Sequence, residues 1–167
     1  MLDDAVTKGA SVTFGGKMNA DQNFIEPTVL EGVTDDMQVM QEEIFGPVLP
    51  VLTYENLDDA LQIVNQREKP LALYIHSRNR QHTQYILDHT SAGDTVINET
   101  MLQFVNLELP FGGVNNSGVG KSNGFFSFQE FSNQRGVMQR DFGTMKFVYP
   151  PYTDTVKRLT KYILKFL

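Results

Sequence analysis

Apolar positions change their period several times along the 167 residues, and each change marks an element. Leu2, Ala5 and Val6 hold helical spacing for barely two turns before Lys8 and Gly9, where glycine suits the left-handed cap of a helix. So short a helix does not persist alone; it packs hard, or it continues an element that begins elsewhere. SVTF at 11–14 predicts a short strand closed by Gly15 and Gly16, and FIEPTVL at 24–30 predicts extended chain. A helix is expected over 37–43, capped by Asp35 or Asp36 and stopped by Gly46 and Pro47, with a buried strand over 48–53 after it. Leu57, Ala60, Leu61 and Val64 return to helical spacing, and LALYI at 71–75 reads as another strand. The next helix is expected over 79–90, ending at Gly93, and TVIN at 95–98 is a fourth strand.

Strands separated by helices of this length predict crossovers between parallel neighbours, hence an α/β fold with a largely parallel sheet. After residue 135 the pattern changes. Residues 136–140, GVMQR, suit an edge strand, and Tyr149, Pro150 and Pro151 form a rigid extended break. Asp154 can cap a last helix with Val156, Leu159, Ile163 and Phe166 on one face and Lys157, Lys161 and Lys165 on another. The expected division is therefore 1–135, 136–148 and 149–167. The tail is too short and too charged to supply the ~20 apolar residues of a spanning helix. Its stripe either docks on protein or lies on an anionic membrane surface with the lysines toward the headgroups.

Composition narrows the chemistry. A hydrophobic content of 41% with 12 Phe supports one domain with a real core. The absence of cysteine excludes a disulfide, a thiolate metal site and a cysteine nucleophile within these residues, and fits a reducing, cytoplasmic setting. The net charge of −6 hides a split: residues 1–60 carry 12 acids against two lysines, and residues 61–167 carry 12 bases against 8 acids. Too few cations cluster to neutralise a run of phosphates, so no nucleic-acid partner is expected. His82 and His89, seven apart on one predicted helix, have no third ligand, and with His76 they read as surface or packing residues; no metal is expected.

FGGVNNSGVGKS at 111–122 ends in the letters of a nucleotide phosphate loop. That loop needs a glycine five residues before Gly120, where Asn115 stands, and a strand before it, where 107–110 reads LELP. Gly124 also falls where the following helix would gain length. A nucleotide-phosphate protein is thus the weakest reading, and Lys121→Ala is expected to be nearly silent.

Two separated motifs carry a different reading: QEEIFGP at 41–47 and LPFGGVNNSGVGKSNGFFSFQEFSNQR at 109–135, with NQREKPLALYIHS at 65–77 between them and YPPY at 149–152 beyond. In this order they resemble the aldehyde dehydrogenase superfamily, and most closely its class 3 branch, which includes fatty-aldehyde dehydrogenases. The resemblance covers nearly the whole chain. It implies the C-terminal part of the catalytic domain, followed by an oligomerisation strand and a tail helix. It makes the glycine loop a tight turn near the floor of the active site, where glycines let backbone pass close to backbone.

By the same resemblance Glu43 accepts hydrogen bonds from the nicotinamide ribose hydroxyls of NAD or NADP, a task suited to an acceptor-only carboxylate. A general-base role for Glu43 ranks second. Phe45 packs beside the nicotinamide. Asn98, Met101, Leu102, Phe104 and Phe111 fall where the family lines its aldehyde tunnel, and the apolar ones suit a hydrophobic substrate. The family reaction uses a cysteine nucleophile and a general-base glutamate that lie upstream of these motifs, as does the dinucleotide domain. The resemblance therefore implies a C-terminal third that is inactive alone and dimerises through 136–140. The alternative is a non-catalytic module that pairs with a full-length relative.

Overall fold

The computed structural model describes residues 1–143 and 149–165. The chain divides into two units, Met1–Ser127 and Phe128–Leu167. The first begins with α1 (Leu2–Thr7), β1 (Ser11–Phe14), the small antiparallel ribbon of β2 (Met18–Asn19) and β3 (Phe24–Ile25), β4 (Thr28–Glu31), α2 (Gln38–Gln41) and β5 (Val48–Pro50). A three-stranded sheet has the order β1-β4-β5, with β1 antiparallel and β5 parallel to β4. Its core is formed by Leu2, Ala5, Ala10, Leu30, Met37 and Val39, of which Leu30 and Met37 are fully buried. Each of those two side chains contributes about 1.5–3 kcal/mol by leaving water. Thr28 is buried too, and its hydroxyl is satisfied: Oγ1 donates to the Glu26 carbonyl at 2.7 Å and accepts from the Gly16 amide at 3.0 Å.

Two elements are shorter than the sequence suggests. α2 is one turn, not 37–43, and neither Asp35 nor Asp36 caps it. Its cap comes from α1, where Asp4 Oδ2 accepts from the Gln38 amide at 2.8 Å while pairing with Lys8 at 2.9 Å. That amide and the Lys8 ammonium hold the Asp4 carboxyl below the usual carboxylate range. Asp36 accepts instead from the Thr34 hydroxyl, and Asp35 pairs with Arg67. The helix stops because Glu42 is already extended and the Thr28 amide donates to Pro47 O at 2.8 Å, drawing the chain into the sheet. β5 ends at Pro50 rather than 53 because its partner β4 ends at Glu31.

The rest of this unit holds α3 (Leu57–Asn65), β6 (Ala72–Ile75), α4 (Arg80–His89), β7 (Asp94–Ile97), α5 (Leu102–Val105) and most of α6 (Gly124–Glu130). β6 and β7 are parallel through four register pairs. The parallel pairing therefore lies in two small sheets, not one. Asn56 caps α3 reciprocally with Asp59, and Asn79 caps α4 through the amides of Gln81 and His82. Tyr85 Oη donates to Asp58 at 2.9 Å and ties the two helices; that hydrogen bond to a carboxylate pushes the phenol pKa up. The α6 helix was illegible because Gly124 reads as a breaker, yet it is the first helical residue, and Asn123 O accepts from Phe126 and Ser127.

In the second unit, α7 (Asp154–Ile163) is capped by Thr153, whose hydroxyl accepts from the Val156 amide, rather than by Asp154. Leu159 and Ile163 of its stripe are about half exposed, and Phe166 lies outside the described residues. Residues 136–140 form no strand: among the described residues they have no ladder partner, and strand geometry persists only where one exists. None of the described helices is long and apolar enough to cross a membrane.

Candidate functional site

The end of β7 is where most of the expected site residues gather. Asn98 continues the ladder through its amide to Ile75 O and then turns into the left-handed region at φ 58°. Its side chain clamps Ser77: Oδ1 accepts from the Ser77 amide at 2.8 Å, and Nδ2 donates to the Ser77 carbonyl at 3.0 Å. Asparagine tolerates this backbone better than most residues. The clamp fixes the C-terminal ends of the parallel pair against each other.

Met101, also left-handed at φ 64°, leads into α5. That helix is inside out with respect to polarity. Gln103 is the buried residue, 5% exposed, while Met101, Leu102 and Phe104 are exposed by 62%, 55% and 56%. Gln103 Nε2 donates to Tyr74 Oη at 2.9 Å, and Tyr74 Oη donates to Met101 Sδ at 3.7 Å. Ordinary core packing would do the reverse, so the three apolar side chains are displayed rather than packed away. Sequence reading missed Gln103; its one signal was a lone polar residue inside the run MLQFV.

Phe111 meets Phe104 edge to face, ring centroids 5.4 Å apart at 80°. Phe111 opens the glycine loop, which an antiparallel bridge to Ser122 closes. The glycines are needed for close approach: a Cβ at Gly93 would stand 2.4 Å from Gly112 O, and one at Gly113 would stand 2.1 Å from Ser117 O. Lys121 Nζ donates to Gly93 O at 3.0 Å and to Gly112 O. Lys121→Ala is therefore expected to cost stability, which the reading of Lys121 as a coincidence of letters did not anticipate, because the amine holds two backbone carbonyls together.

Glu43 and Phe45 stand in the second group. Glu42, at the end of α2, is already extended. Ile44 packs on the core, whereas Glu43 is exposed and Phe45 is 91% exposed, on a turn drawn tight by the Gly46 amide to Ile44 O and the Val48 amide to Gly46 O, each at 2.9 Å. An outward carboxylate two residues from an outward aromatic ring fits a ribose diol and a flat heteroaromatic ring. Among the described residues no hydrogen bond or ring contact joins this pair to the Asn98–Phe111 group.

His89 stacks on Tyr85 at 4.1 Å, and its Nδ1 lies 2.8 Å from Tyr85 O, a packing role. His82 and His76 line a cavity of about 230 Å³ between α3, α4 and β6.

Residues 1–137 match the aldehyde dehydrogenase family. The mouse (Mus musculus) aldehyde dehydrogenase family 3 member A2 is 39% identical over 96% of this chain and 34% of its own length. The substrate-bound structure of Staphylococcus aureus AldH is 38% identical with a TM-score of 0.76, covering 97% of this chain and 35% of that one. A crystal structure of an indole-3-acetaldehyde dehydrogenase complexed with NAD+ is 32% identical with a TM-score of 0.70, over 78% of this chain and 26% of that one. The chain spans about a third of the length of the curated relatives it matches. With both motifs in order, and with class 3 relatives matching along almost all of its length, the chain belongs to the aldehyde dehydrogenase family.

Proposed function

We propose that these residues supply the nicotinamide end of the cofactor site and one wall of the substrate tunnel in an NAD(P)-dependent enzyme that oxidises hydrophobic aldehydes to carboxylic acids. The observation that carries this is the outward pair Glu43 and Phe45. Leaving a phenylalanine 91% exposed forgoes about 1.5–3 kcal/mol of burial, which a bound ring would recover. NAD(P) supplies the hydride acceptor when bound. Glu43 would hold the ribose hydroxyls through its two carboxylate oxygens, and Phe45 would limit the distance between the ring and the substrate carbon.

Met101, Leu102 and Phe104 present an apolar surface beside the Phe104–Phe111 pair, which suits medium or long alkyl chains or aromatic rings. The nucleophile must come from elsewhere, since these 167 residues contain no cysteine. We therefore read the chain as inactive alone, working in the cytoplasm as part of a larger protein, dimeric through 136–140 once that segment has a partner strand.

Incubating the purified chain with NAD(P)+ and a panel of medium-chain and aromatic aldehydes tests the proposal. No reduced cofactor is expected. Turnover above the buffer rate would mean that the chain carries a nucleophile of another kind, and this reading would be wrong.

A further inference from the structure

Lys121 is the residue that the phosphate-loop letters single out, and the proposed function gives it no task. Its stem lies along Gly112, where an added Cβ would stand 3.2 Å from Lys121 Cδ. Its ammonium reaches two carbonyls from distant parts of the chain: Gly93 O just before β7, and Gly112 O just after Phe111. They converge because Gly93 lets the backbone of Gly112 pass close by. Two carbonyl dipoles aimed at one point repel, and a cation placed there converts the repulsion into two charge-assisted hydrogen bonds. Several of the loop's own amides are engaged as well. Val114 donates to Ser117 Oγ, Ser117 to Val114 O, Gly118 to Asn115 O and Ser122 to Phe111 O. Neither the amine nor these amides are offered to an anion.

We propose that Lys121 is a positioning residue for the substrate wall. By fastening Gly112 to the start of β7, it holds Phe111 edge-on against Phe104. The word "substrate" rests on the function proposed above; the clamp and its effect on the two rings do not. An arginine fork can span the same two carbonyls, whereas methionine fills the space of the stem without the charge.

The test uses the 167-residue chain and inter-ring nuclear Overhauser effects between Phe104 and Phe111. These are expected in the wild type, lost in Lys121→Met and restored in Lys121→Arg. A simple loss of stability would not give that pattern of loss and rescue, and cross-peaks unchanged in Lys121→Met overturn the proposal. If Lys121→Met does not fold, competitive acetylation of the wild-type chain decides. The Lys121 amine should react at least about tenfold more slowly than exposed Lys17, corresponding to about 1.4 kcal/mol of protection. Equal rates overturn the clamp. Saturable binding of inorganic pyrophosphate that Lys121→Met abolishes would also overturn it and restore the phosphate loop. None of these readouts involves turnover, so a failed aldehyde assay and a failed clamp are separate results.

Discussion

In the 111–122 loop, backbone is held to backbone by the Phe111–Ser122 bridge, by the Lys121 ammonium and by glycines that leave no room for a Cβ, whereas in the 42–47 turn Glu43 is exposed and Phe45 is 91% exposed. The chain's own folding accounts for the glycines, Phe111 and Lys121 of the loop. It does not account for Glu43 and Phe45 of the turn. A glycine-rich stretch resembling a ligand cradle is thus a packing device, and the proposed cofactor contacts fall on the plain-looking acidic turn instead.

The largest expected effect breaks the loop. Gly93→Ala forces a Cβ to within 2.4 Å of Gly112 O and 2.5 Å of Leu71 O, both backbone atoms with nowhere to move. A loss of about 3 kcal/mol or more is expected in denaturant unfolding, against less than about 0.5 kcal/mol for Phe45→Ala. Similar losses at the two sites would erase the contrast. Asn98→Ala comes next: it removes both bonds to Ser77 and leaves alanine at φ 58°, for an expected loss of roughly 1–3 kcal/mol.

Acid should act on the cap of α2 and not on the Phe111–Ser122 bridge. The Asp4 carboxyl that caps α2 titrates below its ordinary range because of the Gln38 amide and Lys8, so its contribution is present above the unfolded value of about 3.9 and is lost as pH falls through the folded one. Hydrogen-exchange protection of the Gln38 amide should fall in that window, while that of the Ser122 amide, bonded to Phe111 O, should not. Equal loss at both would mean global unfolding.

The stripe of α7, half exposed at Leu159 and Ile163, is a weaker relative of the Phe45 case. If it lies on anionic membrane, Lys157, Lys161 and Lys165 should add roughly 1 kcal/mol each to vesicle binding, lost with salt. Absence of co-sedimentation with anionic or neutral vesicles at low salt would remove the membrane reading.

Most of the fold was legible because local chemistry and packing agree. Asn79 caps the helix that the periodicity over 79–90 predicts, and LALYI at 71–75 is the strand it resembles. What escaped depends on distant partners. Asp4 caps α2 across 34 residues, and β5 stops where β4 stops. The 136–140 segment has strand residues but no partner strand among the described ones. Resemblance nominated Glu43, Phe45 and the Asn98–Phe111 group as candidate site residues. Gln103 and Lys121 stayed hidden, since their roles come from what they touch: the hydroxyl of a half-buried tyrosine and two converging carbonyls.

The proposal that Glu43 serves a cofactor and not the fold is open to experiment. It is tested most directly in an enzyme assembled from this chain and the remaining two thirds of a class 3 relative, comparing wild type with Glu43→Gln in single-turnover reduction of NAD(P)+. An unchanged melting temperature is expected, with hydride transfer slowed by the loss of a charged acceptor, about 1.5–3 kcal/mol or roughly 10- to 150-fold. Unchanged kinetics, or a fall in melting temperature that matches the fall in rate, would contradict it.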